Sequence, residues 1–272
     1  MKPSIAQAFA ALGFVTSMTC VQPTMADVRD IAPGGTLRAV YLASNPAQAV
    51  QDPATGVIRG VSADLAREFA RRMNLPVEIK SVADPKAVID AVTAGAADIG
   101  FVAFAPERAG TVEFSQTYVL VRQSFLVRDD SSIRVIADVD RAGQKIAGQI
   151  SDSITLFMKR KLKQATLIEI ENNPAEIKRL LVAKEIDAFG ANRQRLTNLI
   201  KDTTGFRILP DNLFGVPQTI IVPKGKTESL ADVNRFIDET RASGFLQSSI
   251  EKSGAIGLEA APAGSWTPSV PD

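Results

Sequence analysis

Strand-like and helix-like spacings of apolar residues alternate along most of this chain, and this alternation restricts the fold more than any other feature. The stretch at 36–42 (TLRAVYL) has the apolar density of a buried strand. At 62–73 the apolar residues instead recur every four positions, which predicts a helix with one buried face. A chain that repeats this pair of patterns is predicted to be an α/β protein.

The predicted elements extend from residue 36 to residue 253. Asp84 and Pro85 predict an N-cap followed by a proline in the first helical turn, and Ser62 predicts a second N-cap. The proline-rich stretch at 257–272 predicts a loose tail. Strands are predicted at 36–42, 77–82, 99–102, 118–127, 145–148, 166–170, 186–189, 206–209 and 218–222, and helices at 62–73, between Asp84 and Gly95, at 154–162 and 174–183, from Arg193, and at 230–243 and 245–253.

The N-terminus has the features of a cleavable secretory signal peptide. Lys2 supplies a positive charge, residues 5–15 are mostly apolar, and Thr24-Met25-Ala26 places small residues where a signal peptidase cuts. We expect removal of residues 1–26 and a mature protein in the periplasm. A buried helix or a membrane anchor is the alternative, but the apolar run is shorter than the roughly 20 residues that span a bilayer.

Composition excludes several classes of function. The sequence has no histidine, and its single cysteine, Cys20, lies in the predicted signal peptide. Disulfides, thiolate or imidazole metal sites and histidine-dependent triads are therefore excluded for the expected mature chain. Without Lys2 that chain has 30 basic residues (31 minus 1) against 30 acidic ones, so no preference for nucleic acid is expected. The sequence also lacks Gly-rich phosphate loops and calcium-loop spacing, and we expect no cofactor or metal.

Four short motifs occur in a fixed order between residues 35 and 254. They are GVSADL at 60–65, AGAADIG at 94–100, ER at 107–108 followed by VEFSQTY at 112–118, and IDA at 186–188. Together they resemble the periplasmic solute-binding proteins that serve ABC importers for polar amino acids, known as family 3. The chain looks like a divergent branch of that family.

The resemblance implies a type 2 periplasmic binding protein fold, in which two α/β lobes are joined by two crossover strands and close on a ligand about a hinge. Lobe 1 is then expected at 27–130 and 216–254, lobe 2 at 131–215 and a C-terminal tail at 255–272, with polar crossovers near 128–132 and 210–215. The implied partners are an amino acid or other small carboxylate as ligand and an ABC permease in the inner membrane. The protein is expected to be a monomer.

The resemblance assigns Arg108 to the α-carboxylate of the ligand, because the family places an arginine just ahead of its Phe-Ser-x-x-Tyr segment. A guanidinium suits this role, since its planar fork of donors matches the two oxygens of a carboxylate. The alternative interpretation is that Arg108 pairs with Glu107, Glu113 or another surface carboxylate.

Two positions depart from the pattern of the family. The stretch FVAFAP at 101–106 lacks the hydroxyl groups that help to hold the carboxylate, and Asn192 stands where the family has an acidic partner for the ligand's ammonium. Asn can accept a hydrogen bond, but it cannot neutralise a buried ammonium. Arg193 follows directly. If it faces the cleft, it favours a dicarboxylate or a ligand without an amine; otherwise it faces solvent at the start of a helix.

The loop at 149–153 runs from a predicted strand into a predicted helix. Members of the family place small or hydroxyl residues in this loop, and their backbone N–H groups meet the carboxylate. Ser151 fits that role. Asp152 has two interpretations: it supplies the ammonium partner that Asn192 lacks, or it is an ordinary helix cap.

Three further candidates come from topology, because open α/β sheets bind ligands beyond the carboxyl ends of their strands. Asn45 follows the first strand, Phe104 follows the strand at 99–102, and Gln218 lies where the second crossover returns to lobe 1. Phe104 has a core interpretation as well.

The leading hypothesis for function is ligand binding without chemistry, as the extracytoplasmic substrate-binding component of an ABC importer. The enzymatic alternative is a periplasmic dehydratase for cyclohexadienyl acids, which the same family includes. That reaction needs a general acid in the cleft, and Asp152 is the nearest candidate. A third alternative is a ligand-loaded partner of a membrane receptor.

Overall fold

The computed structural model describes residues 28–265 and consists of two α/β lobes. The predicted signal peptide up to Ala26 and the end of the chain at 266–272 lie outside the described residues. Within residues 28–265, no helix is long and apolar enough to cross a membrane. The same residues contain no cluster of His, Cys, Asp or Glu side chains that would hold a metal ion.

Helices and strands alternate along most of both lobes. Lobe 1 begins with α1 (Val28–Ile31), β1 (Leu37–Leu42), β2 (Val50–Gln51), β3 (Ile58–Arg59), α2 (Val61–Arg72), β4 (Val77–Val82), α3 (Pro85–Thr93), β5 (Ile99–Ala103) and β6 (Val112–Phe114). The long strand β7 (Val119–Arg128) leads to lobe 2, which contains β8 (Lys145–Gln149), α4 (Ser153–Lys161), β9 (Thr166–Ile170), α5 (Pro174–Val182), β10 (Ala188–Asn192), α6 (Arg193–Ile200) and β11 (Phe206–Ile208). The chain returns through β12 (Gly215–Pro223) and ends with α7 (Thr227–Ala242), α8 (Phe245–Ser253) and β13 (Leu258–Ala260).

The two lobes share one strand path, in the order β4-β1-β5-β12-β7-β10-β8-β9. The β4-β1-β5 and β10-β8-β9 sets are parallel, and the antiparallel pair β12-β7 stands between them. Residues 119–122 of β7 pair with β12, whereas residues 123–127 pair with β10. The first crossover therefore lies inside a continuous strand and not in the polar stretch at 128–132, because ladder hydrogen bonds hold β7 on both sides of the boundary.

Each lobe has apolar cores on both faces of its sheet, as expected where helices cover a largely parallel sheet. In lobe 1, Leu65 and Phe69 on α2 are fully buried, and Phe69 packs 4.7 Å from Phe236 between ring centroids. Burial of a side chain of this size contributes about 1.5–3 kcal/mol. Each lobe therefore has its own hydrophobic core.

The two predicted helix caps have different outcomes. Asp84 caps α3 as predicted, since its Oδ1 accepts a hydrogen bond from the N–H of Ala87 at 2.8 Å. The prediction for Ser62 is wrong, because Gly60 holds the N-cap position of α2. Gly60 has φ 127°, and a Cβ there would lie 2.6 Å from the carbonyl oxygen of Gln48. The helix therefore begins one residue early, and Ser62 points inward.

The described part of the C-terminal tail is not loose, which corrects the prediction for this segment. β13 pairs with β7, and the N–H of Arg122 donates to the carbonyl oxygen of Gly257 at 2.8 Å. Glu259 forms an ion pair with Arg122. The pairing arises because the edge of the crossing strand β7 has backbone N–H and C=O groups that need partners. The proline-rich composition of the tail gives no sign of this. The tail is thus attached to the connection between the lobes.

Candidate functional site

The lobes face each other with the carboxyl ends of their parallel strands, β1 and β5 on one side and β8 and β10 on the other. Ligands of α/β sheets bind beyond these ends. A cavity of about 20 Å³, which we call the central cavity, lies between the lobes at this level. Its polar lining consists of Asn45, Arg108, Gln123, Asp152, Ser153, Asn192 and Gln218. Both lobes contribute to this lining, which makes it the candidate binding cleft.

Arg108 connects the two walls of the cleft. It ends a short 3₁₀ helix after β5, and its side chain is 8% exposed. Nη1 donates to the carbonyl oxygen of Ala103 at 2.6 Å, and Nη2 donates across the cleft to that of Ser151 at 2.7 Å. Burial lowers the pKa of the Arg108 guanidinium from its ordinary value, while Asp152 and Glu107 oppose the shift. No carboxylate of residues 28–265 lies within 4.0 Å of this guanidinium, so a buried cation faces the cleft without an ion pair.

The predicted loop residues Ser151 and Asp152 meet the cleft in different ways. Ser151 has φ 62° and an exposed side chain, and it takes part through its carbonyl oxygen. Asp152 occupies the N-cap position of α4, but its side chain makes no capping hydrogen bond. Its Oδ2 instead lies 3.6 Å from Nη1 of Arg195. The carboxylate is therefore directed into the cleft and away from the helix that it precedes.

Asn45 and Asn192 meet across the cleft. Asn192 Nδ2 donates to Asn45 Oδ1 at 3.1 Å, and both residues are buried. Asn192 also caps α6, since its Oδ1 accepts from the N–H of Arg195 at 2.8 Å. One amide thus serves two purposes, and its donor end is the part that is free to meet a ligand if the lobes separate.

Gln218 lies on β12 and is 2% exposed. Its Oε1 accepts from Nε2 of Gln48 at 3.0 Å, and Oε1 of Gln48 accepts from the N–H of Leu42 at 3.1 Å. This chain of amides fixes the loop that carries Asn45 to the end of β1. Gln218 therefore borders the central cavity and also holds one of its walls in place.

The structure places the two remaining predicted residues away from the central cavity. Phe104 packs edge-to-face on Phe114, with ring centroids 5.2 Å apart. Arg193 projects from the opposite side of α6 and donates to the carbonyl oxygens of residues 209, 210 and 211 just before β12. Phe104 thus takes its predicted alternative role in packing, and Arg193 belongs to the connection between the lobes.

Arg195 faces the cleft and was missed by the sequence reasoning. It is 6% exposed, and its Nη1 and Nη2 donate to Gln149 Oε1 at 2.6 Å and Asn172 Oδ1 at 2.8 Å. Burial lowers the pKa of the Arg195 guanidinium, and Asp152 opposes this effect. Helical spacing could have identified it, because a residue three positions after an N-cap lies above that cap on the same face.

A larger groove lies between the lobes next to Arg195, and we call it the side groove. Its volume is about 500 Å³, within the range of sites for small molecules. Lobe 1 contributes Tyr41, Ala43, Ser44, Pro46, Ala49, Val50, Gln51 and Ser81, and lobe 2 contributes Asn172, Pro174, Lys178, Arg195, Asn198 and Leu199. Across the described lining of both spaces, the charged residues are Arg108, Arg195, Lys178 and Asp152. The site is therefore cationic.

Comparison with known proteins shows the family of this chain. The family model described as bacterial extracellular solute-binding proteins, family 3, matches residues 37–254. A curated glutamine-binding protein of Geobacillus stearothermophilus is 27% identical over 176 residues, which cover 63% of this chain and 66% of the relative. The chain thus spans about two thirds of the length of that relative.

Two solved structures of similar fold have the same two-lobed form. The substrate binding protein of an amino acid ABC transporter has a TM-score of 0.67 and 25% identity, covering 80% of this chain and 98% of its own. An ancestral amino acid-binding protein, described as a precursor of cyclohexadienyl dehydratase, has a TM-score of 0.67 and 25% identity, covering 82% of this chain and 96% of its own. Both similarities extend across the two lobes.

Proposed function

We propose, because this chain belongs to the bacterial extracellular solute-binding proteins of family 3, that it is the extracytoplasmic substrate-binding component of an ABC importer. Its ligand in this proposal is an amino acid or a related small carboxylate, held between the two lobes. The names of the relatives, a glutamine-binding protein and a binding protein of an amino acid ABC transporter, support this assignment. The closed protein would then deliver its ligand to a membrane permease.

The observation that carries the proposal is the state of Arg108. Its guanidinium is buried at the meeting point of the lobes and is bonded to neutral carbonyl oxygens. A buried cation without a counter-charge is costly, and a bidentate carboxylate removes that cost through charge-assisted hydrogen bonds. A ligand carboxylate that takes the place of the Ser151 carbonyl oxygen as acceptor for Arg108 would still connect the two lobes.

Ligand entry in this proposal requires the lobes to separate. A central cavity of about 20 Å³ holds little more than one water molecule and is far smaller than an amino acid. The crossing strands β7 and β12 are the covalent connections between the lobe cores, so the hinge motion would take place there. The contacts of Asn45 with Asn192 and of Arg108 with Ser151 would break on opening.

We propose binding without chemistry. Asp152 is the one carboxylate in the described lining of the central cavity and the side groove, so an acid and base pair of carboxylates is not formed there. The relatives are named for binding, and the dehydratase appears as a descendant of one of them. Conversion of prephenate or arogenate by the purified protein would contradict this part of the proposal.

A thermal-shift screen of amino acids, keto acids, hydroxy acids and dicarboxylates tests the proposal. A ligand that binds the folded state raises the unfolding temperature according to RT ln(1 + [L]/Kd). For the best ligand, calorimetry with Arg108→Met should show an affinity loss of at least about 100-fold, since truncating one partner of a buried charge pair has effects of this size.

Arg59→Met is the matched control, because Arg59 is an exposed cation on β3 in the same lobe. It should bind the ligand with unchanged affinity. Full affinity in Arg108→Met, or no stabilisation by any carboxylate of the screen, would contradict the proposed function.

A further inference from the structure

Arg195 is a buried cation whose hydrogen-bond partners are neutral. Its two bonds to the amides of Gln149 and Asn172 use two of the five N–H groups of a guanidinium. The nearest carboxylate of the described residues, that of Asp152, lies 3.6 Å away. The family pattern that identifies Arg108 does not assign a function to this second arginine. The Asp152 carboxylate and the Phe189 ring, whose centroid lies 5.2 Å from the guanidinium carbon, meet part of its charge, and N–H donors remain for a ligand.

The position of Arg195 shows where such a ligand would lie. It forms part of the wall of the side groove, and it approaches Asp152, which lines the central cavity. Asp152, together with Glu107, also opposes the lowering of the Arg108 pKa that burial causes. Asp152 therefore acts on both arginines, Arg108 at the central cavity and Arg195 at the side groove. A ligand that binds Arg108 through one end and continues into the groove reaches Arg195 with its other end.

The charge of the lining indicates what that other end carries. The cations Arg108, Arg195 and Lys178 face the carboxylate of Asp152 in the described lining, and Asn192 adds no charge. A ligand with a neutral side chain and one carboxylate would satisfy Arg108 and leave Arg195 with only the Asp152 carboxylate at 3.6 Å, which also acts on Arg108. A second carboxylate would form a charge-assisted pair with Arg195 in a site largely removed from water, where such pairs are strong.

We propose that Arg195 is a specificity-determining residue that selects a small aliphatic dicarboxylate over ligands with a single carboxylate. This inference rests on the proposed function and narrows its ligand class. Arg108 binds one carboxylate, Arg195 binds the second, and Asp152 accepts a hydrogen bond from an amine where the ligand has one. Acidic amino acids and their deaminated counterparts share this chemistry.

Pairs of an acid and its amide test the proposal, because the two members have the same shape and differ in charge at one end. Calorimetry should show that L-glutamate binds at least about tenfold more tightly than L-glutamine, or L-aspartate than L-asparagine. Binding of 2-oxoglutarate, compared with that of L-glutamate, measures the contribution of the amine at Asp152. Arg195→Gln should reduce the ratio of acid to amide affinity at least about tenfold, and Arg195→Lys should keep part of it.

Lys201→Gln is the matched control, because it removes an exposed cation at the other end of α6. It should leave the ratio unchanged. A purely structural role for Arg195, which ties α6 to β8 through Gln149, would lower the unfolding temperature in Arg195→Gln without changing the ratio. That result would overturn the proposal.

The wild-type ratio decides the matter even if Arg195→Gln does not fold. The dicarboxylate inference would be overturned if the amide bound as tightly as the acid or more tightly, or if only monocarboxylates bound. If that binding still depended on Arg108, the proposed function would stand. Absence of binding by every carboxylate would instead contradict the proposed function itself.

Discussion

Helix α6 presents two arginines, two positions apart, to two different regions of the molecule. Arg193 lies on the hinge side, where its Nη2 donates to three backbone carbonyls at 2.7–2.9 Å and its Nε donates to Asn212. Arg195 lies on the cleft side, where it meets two side-chain amides and stands 3.6 Å from Asp152. Two residues of a helix are about 200° apart around its axis, so the two guanidinium groups point in opposite directions.

The difference shows what distinguishes a structural cation from a ligand-binding one in this protein. On the hinge side, a partly exposed guanidinium completes the hydrogen bonding of the segment that leads into β12. On the cleft side, a buried guanidinium remains incompletely neutralised beside a groove. Burial of charge together with incomplete pairing, and not the presence of an arginine near the cleft, marks the candidate ligand contact.

Of the variants that test this difference between the two sides of α6, Arg193→Ala is expected to have the largest effect, which is on stability. Removal of the Arg193 side chain breaks three hydrogen bonds to carbonyl oxygens of the hinge segment and the bond to Asn212, and it should lower the free energy of unfolding by about 2 kcal/mol. For a chain of this size, that corresponds to a fall of roughly 4–8 °C in the unfolding temperature. Differential scanning calorimetry measures the fall, and the ratio of acid to amide affinity should remain that of the wild type.

Lys201→Ala is the control for Arg193→Ala, since it deletes an exposed cation at the C-cap of the same helix. It should change the unfolding temperature by less than about 2 °C. If Arg193→Ala changed the acid to amide ratio as strongly as Arg195→Gln does, the division of α6 into a hinge side and a cleft side would be wrong.

Asn192→Asp should have the next largest effect, and it acts on the cleft side alone. Aspartate is as good an N-cap as asparagine, so the start of α6 is preserved while the cleft gains a negative charge. We expect about tenfold weaker binding of a dicarboxylate, and a shift of preference toward the neutral glutamine, because the added carboxylate repels one ligand end and can pair with an ammonium. Calorimetry with glutamate and glutamine measures both changes.

Asn212→Asp makes the same change of charge on the hinge side, where Asn212 accepts from Arg193. Its effect on the acid to amide ratio should be negligible. Equal ratios in Asn192→Asp and in the wild type would show that charge at the end of β10 does not reach the ligand.

The sequence predicted most strands and helices of both lobes, because the spacing of apolar residues along one element is a local pattern that can be seen in the chain. The strands at 77–82 and 166–170 have the predicted bounds, and the two-lobed α/β fold is confirmed. The start of α2 was missed because it depends on a steric contact between Gly60 and Gln48, which belongs to a turn and not to a periodic pattern.

The candidate site was less accessible to sequence reasoning, because it is formed between lobes. The contact of Asn45 with Asn192 joins residues 147 positions apart, and no local pattern encodes it. Motif spacing brought Asn192 to attention, but the next residue, Arg193, was considered as the second cation in place of Arg195. Which of the two arginines faces the cleft depends on where β10 ends and α6 begins. β10 extends three residues beyond its predicted end at Phe189, so the predicted bounds did not fix the direction of either side chain.

The smallest effect is expected at the ion pair of Arg122 and Glu259, which joins β13 to the crossing strand β7. The Arg122 guanidinium holds the pKa of Glu259 below its usual range by hydrogen bonding to the carboxylate. A lowered pKa in the folded state stabilises the protein in full above the unfolded value of about 4.3, and this contribution is lost as the pH falls from there through the lowered pKa of the folded state. Because Glu259 is about half exposed, solvent screening limits the contribution to about 0.5 kcal/mol.

Thermal unfolding of wild type and Glu259→Gln at two pH values isolates this pair. At pH 7 the variant should unfold about 1–2 °C below the wild type, and the difference should shrink as acid protonates Glu259 and in 1 M salt, which screens the pair. Lys80→Gln, which breaks an exposed ion pair with Glu78 on an outer strand, gives the background value for a surface pair. A difference that neither acid nor salt reduces would mean that Glu259 stabilises the tail through packing on β7 and not through its charge.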